Sequence, residues 1–169
     1  MKSKSKDIVL CGVFAAIICI CSVISLPVGV IPVTLGTFGV MLTASVLGVR
    51  KGFFAVLVFI LTGAIGIPVF SGFQGGVSVL AGPTGGYITG YILMPFLSGL
   101  NNNGRGVKGI ILNLLSLVLC YICGTGQFVF LTGADIKSAL ALCVAPFVVF
   151  DVVKAFAAAT LAQYIKARI

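Results

Sequence analysis

The sequence predicts an all-α integral membrane protein that crosses the bilayer six times, with both termini on the cytoplasmic side. Three observations lead there: a composition too apolar to be hydrated, six apolar runs divided by polar breaks, and a one-sided distribution of lysine and arginine. Of 169 residues, 60% are hydrophobic and 8% charged, and the mean hydropathy is +1.26. A soluble domain carries about 25% charged residues because water must solvate its surface. Here lipid must be the solvent for most of the exterior.

Charges, prolines and Gly/Asn clusters divide the chain into spans at about 8–26, 33–49, 52–67, 85–100, 107–131 and 146–167, in a single membrane domain covering 1–169. Pro27 ends the first, Arg50-Lys51 the second and Pro68 the third. A Gly-rich stretch follows at 70–78, and the turn NNNGRG at 101–106 separates the fourth span from the fifth. Pro146 belongs in the first turn of the sixth, where a missing N–H costs little. Residues 138–145 form a short separate helical piece. The second and third spans fall below the ~20 residues of a straight crossing. Glycines within them argue for close helix packing or irregular backbone lining a cavity. The N-terminal lysines before an apolar run resemble a signal peptide, but further spans follow and no A-x-A-like site does, so the run reads as a retained first helix.

Basic residues fix the orientation. Lys2, Lys4, Lys6, Arg50, Lys51, Arg105, Lys108, Lys166 and Arg168 fall on one side of the six crossings and Lys137 on the other. Cytoplasmic loops carry the excess of Lys and Arg, so the first group is cytoplasmic. The uncharged segments 28–33 and 70–78 then lie on the outer side, where they suit a lid over a neutral or mostly neutral small molecule.

Composition also excludes function classes. The net charge is +8, but a nucleic-acid binder gathers its basic residues on one face or stripe, and here they sit in short gaps between apolar runs. The chain has no His and three acids, Asp7, Asp135 and Asp151, so Ser–His–Asp, Cys–His and HExxH chemistry is absent. Cys11, Cys19, Cys21, Cys120, Cys123 and Cys143 all lie in apolar runs, where cysteine behaves as a small hydrophobe. No metal site is expected, because the Cys120–Cys123 CxxC has no His or further ligands to complete it.

Three constellations carry chemistry. Asp151 and Lys154 are the charged side chains inside a span, each costing ~2.5–3.5 kcal/mol near the bilayer centre. At i and i+3 they share a helical face and can pair. An Asp acceptor beside a Lys donor fits a substrate with adjacent N–H and C=O groups; the competing reading is a pair that only locks helices together. GPTGGY at 82–87 opens the fourth span. Thr84 can cap that helix, Pro83 is tolerated early, and Gly82, Gly85 and Gly86 allow close backbone approach to a ligand. Amides at the helix N-terminus there attract a carboxylate. The motif equally fits a plain turn into a helix. Gly12, Ala15, Ala16 and Cys19 form a small-residue face on the first span, suited to close helix approach within this chain or with another.

PVTLGTFGVMLTASVLG (32–48), GAIGIPVFSG (63–72), LAGPTGGYITGY (80–91) and APFVVFDVVKA (145–155) together resemble the BioY family, the biotin-specific S components of energy-coupling-factor transporters. The resemblance runs from the first span to the sixth in matching order. It implies a compact six-helix bundle with a pocket near the outer face and biotin as ligand, with no cofactor. It also implies a transmembrane coupling subunit and two ABC-type ATPases as partners, in the plasma membrane of a prokaryote. Carried over, Asp151 and Lys154 hold the polar head of biotin. Tyr87 with Gly82, Thr84, Gly85 and Gly86 shapes the pocket, Gln74 and Gly75 form the outer lid, and Thr34 sits at the rim. Gly12, Ala15, Ala16 and Cys19 dock the coupling subunit. Where the family often reads PVTLQ this chain has Gly36, so a polar contact from that position is missing or comes from elsewhere. The chain has no GxxxxGK[ST] phosphate loop, so uphill transport needs a partner's ATPase. The rival readings are an S component for a different vitamin, a solitary biotin facilitator, an intramembrane enzyme acting on lipid-borne substrates, and a structural subunit without a ligand.

Overall fold

Helix α1 (Lys2–Val23) leads into a short two-stranded ribbon. Ser25–Leu26 (β1) pairs antiparallel with Val33–Thr34 (β2), Ser25 opposite Thr34. The structure is a computed structural model describing residues 2–26, 31–101 and 107–168. Pro27, residues 28–30 of the expected outer loop 28–33, and residues 102–106 of the NNNGRG turn, Arg105 among them, therefore lie outside the described residues. Because 33–34 is engaged in the ribbon, the next helix starts at Gly36 rather than at 33.

Helix α2 (Gly36–Ala64) is two helical arms joined at a kink, where Gly48 adopts φ +81° and ψ 178°. A Cβ on Gly52 would lie 2.9 Å from the Ala44 Cα, whereas eight residues of straight helix span ~12 Å. The helix therefore doubles back on itself at 48–51. The expected second and third spans are the two arms of this hairpin, and the break falls at Gly48, since only glycine tolerates that φ at little cost. The second arm ends at Ala64, not 67, with Gly66 at φ +103°.

A single 3₁₀ turn (Ser71–Phe73) and the short helices α3 (Val77–Ala81), α4 (Gly85–Gly90) and α5 (Met94–Ser98) follow. The expected fourth span is thus broken rather than continuous. Pro95 gives the physical reason: it lacks an N–H, and its ring opposes the carbonyl four residues back. Helix α6 (Val107–Thr132) runs unbroken, and α7 (Ile136–Cys143) is the short piece expected before the last span, starting at 136 rather than 138. The Asp135 carboxylate caps α7 by accepting from the Lys137 amide at 3.1 Å. Helix α8 (Ala145–Lys166) carries Pro146 in its first turn.

Helices α1, α2, α6 and α8 are long and apolar enough to cross a membrane. Large side chains such as Ile8, Phe54, Ile122, Phe130 and Val149 point outward, as a lipid-facing exterior requires. Inside, α2 packs against α1, α5 and α8, and α6 packs against α4 and α5. One end of the bundle gathers basic residues. There the Lys51 ammonium pairs with the Asp7 carboxylate at 2.6 Å, and Lys166 donates to the Asn101 carbonyl at 2.9 Å.

Candidate ligand site

At the opposite end from those contacts the bundle encloses a cavity of about 390 Å³. Its charged wall comes from α8, where Asp151 and Lys154 are both buried. One turn apart on the helix, they meet at 2.7 Å. With α8 starting at Ala145, Asp151 lies ~9 Å inside the helix end by the ~1.5 Å rise per residue.

Neither charge depends on the other alone. The Asp151 carboxylate accepts from the Thr37 hydroxyl at 3.0 Å and, on its other oxygen, from the Tyr121 hydroxyl. The Lys154 ammonium donates to the Thr34 carbonyl at 2.7 Å and reaches the Thr37 hydroxyl at 3.5 Å. A buried ion pair persists only when further hydrogen bonds satisfy both partners, and α2, β2 and α6 supply them here. The Thr34 carbonyl is available because the β1–β2 ribbon leaves the helix to begin two residues later. Thr37 and Tyr121 are site residues that sequence reasoning missed. A lone Thr in an apolar run and a Tyr thirty positions from Asp151 give no local signal.

Asp151, Lys154, Tyr87, Gln74, Thr84 and Thr34 all contribute to the wall of this one cavity, together with Ser22, Ser71 and Tyr91. Gly75, Gly82, Gly85 and Gly86 do not line it. A Cβ on Gly86 would lie 2.5 Å from the Cys123 carbonyl and 2.9 Å from the Gly124 Cα, and one on Gly85 would lie 2.8 Å from the Gln127 amide. Gly86 thus lets α4 approach α6, and Gly85 lies closest to the Leu80 carbonyl at the end of α3, so both serve helix packing rather than a ligand. Gln127 fastens the same joint, donating to the carbonyls of Leu80 at 2.9 Å and Gly82 at 2.8 Å. Thr84 makes no capping bond. With six residues, α4 is also too short for its dipole to hold a carboxylate, which corrects the expectation drawn from GPTGGY. Tyr87 lines the cavity with its ring while its hydroxyl donates to the Cys143 carbonyl at 3.1 Å.

Gly36 resolves the departure from PVTLQ. A Cβ there would lie 2.7 Å from the Tyr91 hydroxyl and 3.1 Å from the Thr34 hydroxyl. The space a longer side chain would need is occupied by Tyr91, so a polar group reaches this spot from the end of α4. On α1, nothing lies within 4 Å of a Cβ on Gly12, Ala16 is exposed and Cys19 half-buried. Ala15 is 3% exposed and packs inside this chain, so it is withdrawn from the outward small-residue face. Among the described residues no cluster of His, Cys, Asp or Glu is arranged to hold a metal ion.

Comparison with known proteins adds an independent line. A family model described as the BioY family matches residues 1–169. A probable biotin transporter BioY of Pyrococcus horikoshii is 38% identical over 160 residues, covering 95% of this chain and 96% of the relative. Biotin transporter BioY2 of Lactococcus lactis is 39% identical over 156 residues, with 90% and 86% covered. Biotin transporter BioY of Thermotoga maritima is 39% identical over 163 residues, with 95% and 96% covered. The fold matches a crystal structure of the S-component for biotin from an ECF-type ABC transporter with a TM-score of 0.92 and 24% identity, covering 99% of this chain and 94% of that one.

Proposed function

The chain belongs to the BioY family, and on that premise we propose that it captures biotin as the substrate-binding subunit of an energy-coupling-factor transporter. The observation that carries the reading is the Asp151–Lys154 pair, buried at 2.7 Å in the wall of a cavity. The urea group of biotin presents N–H donors and a carbonyl acceptor on one edge. The carboxylate of Asp151 accepts from the former and the ammonium of Lys154 donates to the latter, which offsets the cost of holding these groups largely out of water. Apolar side chains such as Ile31, Val79, Ile88 and Phe147 in the same wall receive the sulfur ring and the alkyl chain. A cavity of about 390 Å³ falls in the range that small-molecule sites occupy.

The same reading assigns six crossings: α1, the two arms of α2, the broken α4–α5 segment, α6 and α8. It places both termini in the cytoplasm of a prokaryotic cell and the protein in its plasma membrane, supported by the basic residues gathered at one end of the bundle. Gly12, Ala16 and Cys19 then form the face of α1 that docks a transmembrane coupling subunit, whose two ABC-type ATPases drive uptake. Close approach of a partner helix is what an exposed small-residue face permits.

Isothermal titration of the detergent-solubilised protein with biotin tests the proposal. Nanomolar binding is expected, lost in Lys154→Ala; a flat titration of the unaltered protein would sink the reading.

A further inference from the structure

The cavity has a second polar feature that the charged pair does not use. Ser71 opens the 3₁₀ turn, contributes to the cavity wall, and has a buried hydroxyl without a hydrogen-bond partner. Buried side-chain hydroxyls are nearly always partnered, and each exception calls for an explanation. Among the described residues Thr43 has the other such hydroxyl, but it does not line the cavity. Ser71 is the orphan that belongs to the cavity wall.

Its position is fixed. The Phe70 amide donates to the Gln74 carbonyl at 2.9 Å, closing the turn. The fully buried Phe70 ring packs edge-on against Phe59 with centroids 5.6 Å apart. These contacts anchor the backbone beside Ser71, and its unpartnered hydroxyl is free to turn towards a ligand acceptor. The turn packs against α1, whereas Asp151 and Lys154 belong to α8, which packs against α2 and α6. The two polar features therefore sit on different walls. Lys154 is the cation in the lining, and Asp151 already claims it. An acid group at the other end of the ligand meets only neutral donors.

We propose that Ser71 is a specificity-determining contact whose hydroxyl donates to the terminal carboxylate of the bound acid, on the wall away from Asp151 and Lys154. The assignment rests on the biotin reading. An orphan hydroxyl gives the deletion variant an unusual signature. Ser71→Ala removes a buried group that has no partner in the empty protein, so the ligand-free protein keeps its stability while binding weakens.

The test is calorimetric titration of the full chain and Ser71→Ala with biotin and with an analogue whose carboxylate is replaced by a methyl group, plus thermal unfolding without ligand. Ser71→Ala is expected to weaken biotin binding about tenfold, the scale of one hydrogen bond to a charged group. It should leave binding of the methyl analogue unchanged, with a ligand-free Tm equal to or above that of the unaltered protein. Biotin binding within about twofold of the parent, a smaller change than any hydrogen bond to a carboxylate supplies, would overturn the contact and leave the biotin reading standing. Equal losses for both ligands would overturn the assignment to the carboxylate. A lowered ligand-free Tm would mark Ser71 as structural. No biotin binding by the unaltered protein would fell the parent reading and this inference together.

Discussion

Lys154 and Ala155 are neighbours on α8, yet they belong to polar regions of opposite character. Lys154 faces the cavity, in a wall where charged and hydroxyl groups border open space. The Ala155 carbonyl joins a closed network towards the basic end of the bundle. There Ser45 donates to the Asn113 side-chain carbonyl at 3.2 Å, and the Asn113 amide donates to the Ala155 carbonyl at 3.2 Å. Ser98 donates to Ser116 at 2.8 Å, and Ser116 to the Asn113 backbone carbonyl at 2.7 Å. Ser45, Ser98, Asn113 and Ser116 are each 2% exposed or less. The difference teaches how polarity inside a membrane bundle divides its labour. Where groups satisfy one another fully, they fix the helices; where they border a cavity, they keep capacity for a ligand.

Breaking the cavity side has the largest expected effect. Replacing the pair together, as Asp151→Leu with Lys154→Leu, removes both charges and leaves none unpaired. The gain of ~1–4 kcal/mol that such swaps can bring is offset by the Thr37 and Tyr121 hydroxyls left without an acceptor, at about 1–3 kcal/mol each. Stability is therefore expected to fall modestly, while biotin affinity is expected to fall at least about 100-fold, the equivalent of ~2.8 kcal/mol. Tm and titration on the same preparation check both halves. A variant that still binds tightly would reduce the pair to a helix lock.

The closed network predicts the reverse pattern. Asn113→Leu strands the Ser45 hydroxyl, costing about 1–3 kcal/mol for a buried group left unpaired, and removes the bond that ties α6 to the Ala155 carbonyl of α8. Binding by the folded fraction should stay near that of the parent. Denaturation followed by titration separates the two, and a large affinity loss without destabilisation would contradict the division drawn here.

A smaller effect is expected at Gly36. Gly36→Ala pushes a methyl group against the Tyr91 hydroxyl, an overpacking that costs about 1–3 kcal/mol when neighbours cannot shift. Adding Tyr91→Phe should restore most of the loss, and additive effects in that double-mutant cycle would mean the two positions do not touch. The smallest change is expected from Lys51→Met, which opens the ion pair to Asp7. Both side chains are about 40% exposed, and exposed pairs contribute ~1 kcal/mol or less. A Tm shift beyond a few degrees would show that this end depends on the pair more than its exposure suggests.

Much of this was legible in the chain. The apolar composition, the one-sided basic residues and the i, i+3 spacing of Asp151 and Lys154 each act locally or by count, so a linear reading finds them. A break close to 50–51, which the structure sets at Gly48, and the helix start at Pro146 were visible for the same reason. The reading failed where partners came from far away. GPTGGY looked like a ligand cradle, but Gly86 makes room for Cys123, Gly124 and Gln127 on α6, far along the chain, and Gly85 for the Leu80 carbonyl. Ala15 looked like part of a docking face and is buried against its own chain.

What the sequence determined by itself was an apolar, helical membrane protein and the presence of two charges that need company in hydrocarbon. Only the tertiary structure decided who keeps that company. Thr37, Tyr121 and the Thr34 carbonyl arrive from other elements, Tyr91 fills the space above Gly36, and Ser71 is left without a partner at the cavity wall. Hydropathy and charge are properties of single residues summed along the chain, whereas the satisfaction of a hydrogen bond is a property of pairs. Which pairs meet is fixed only when the helices pack.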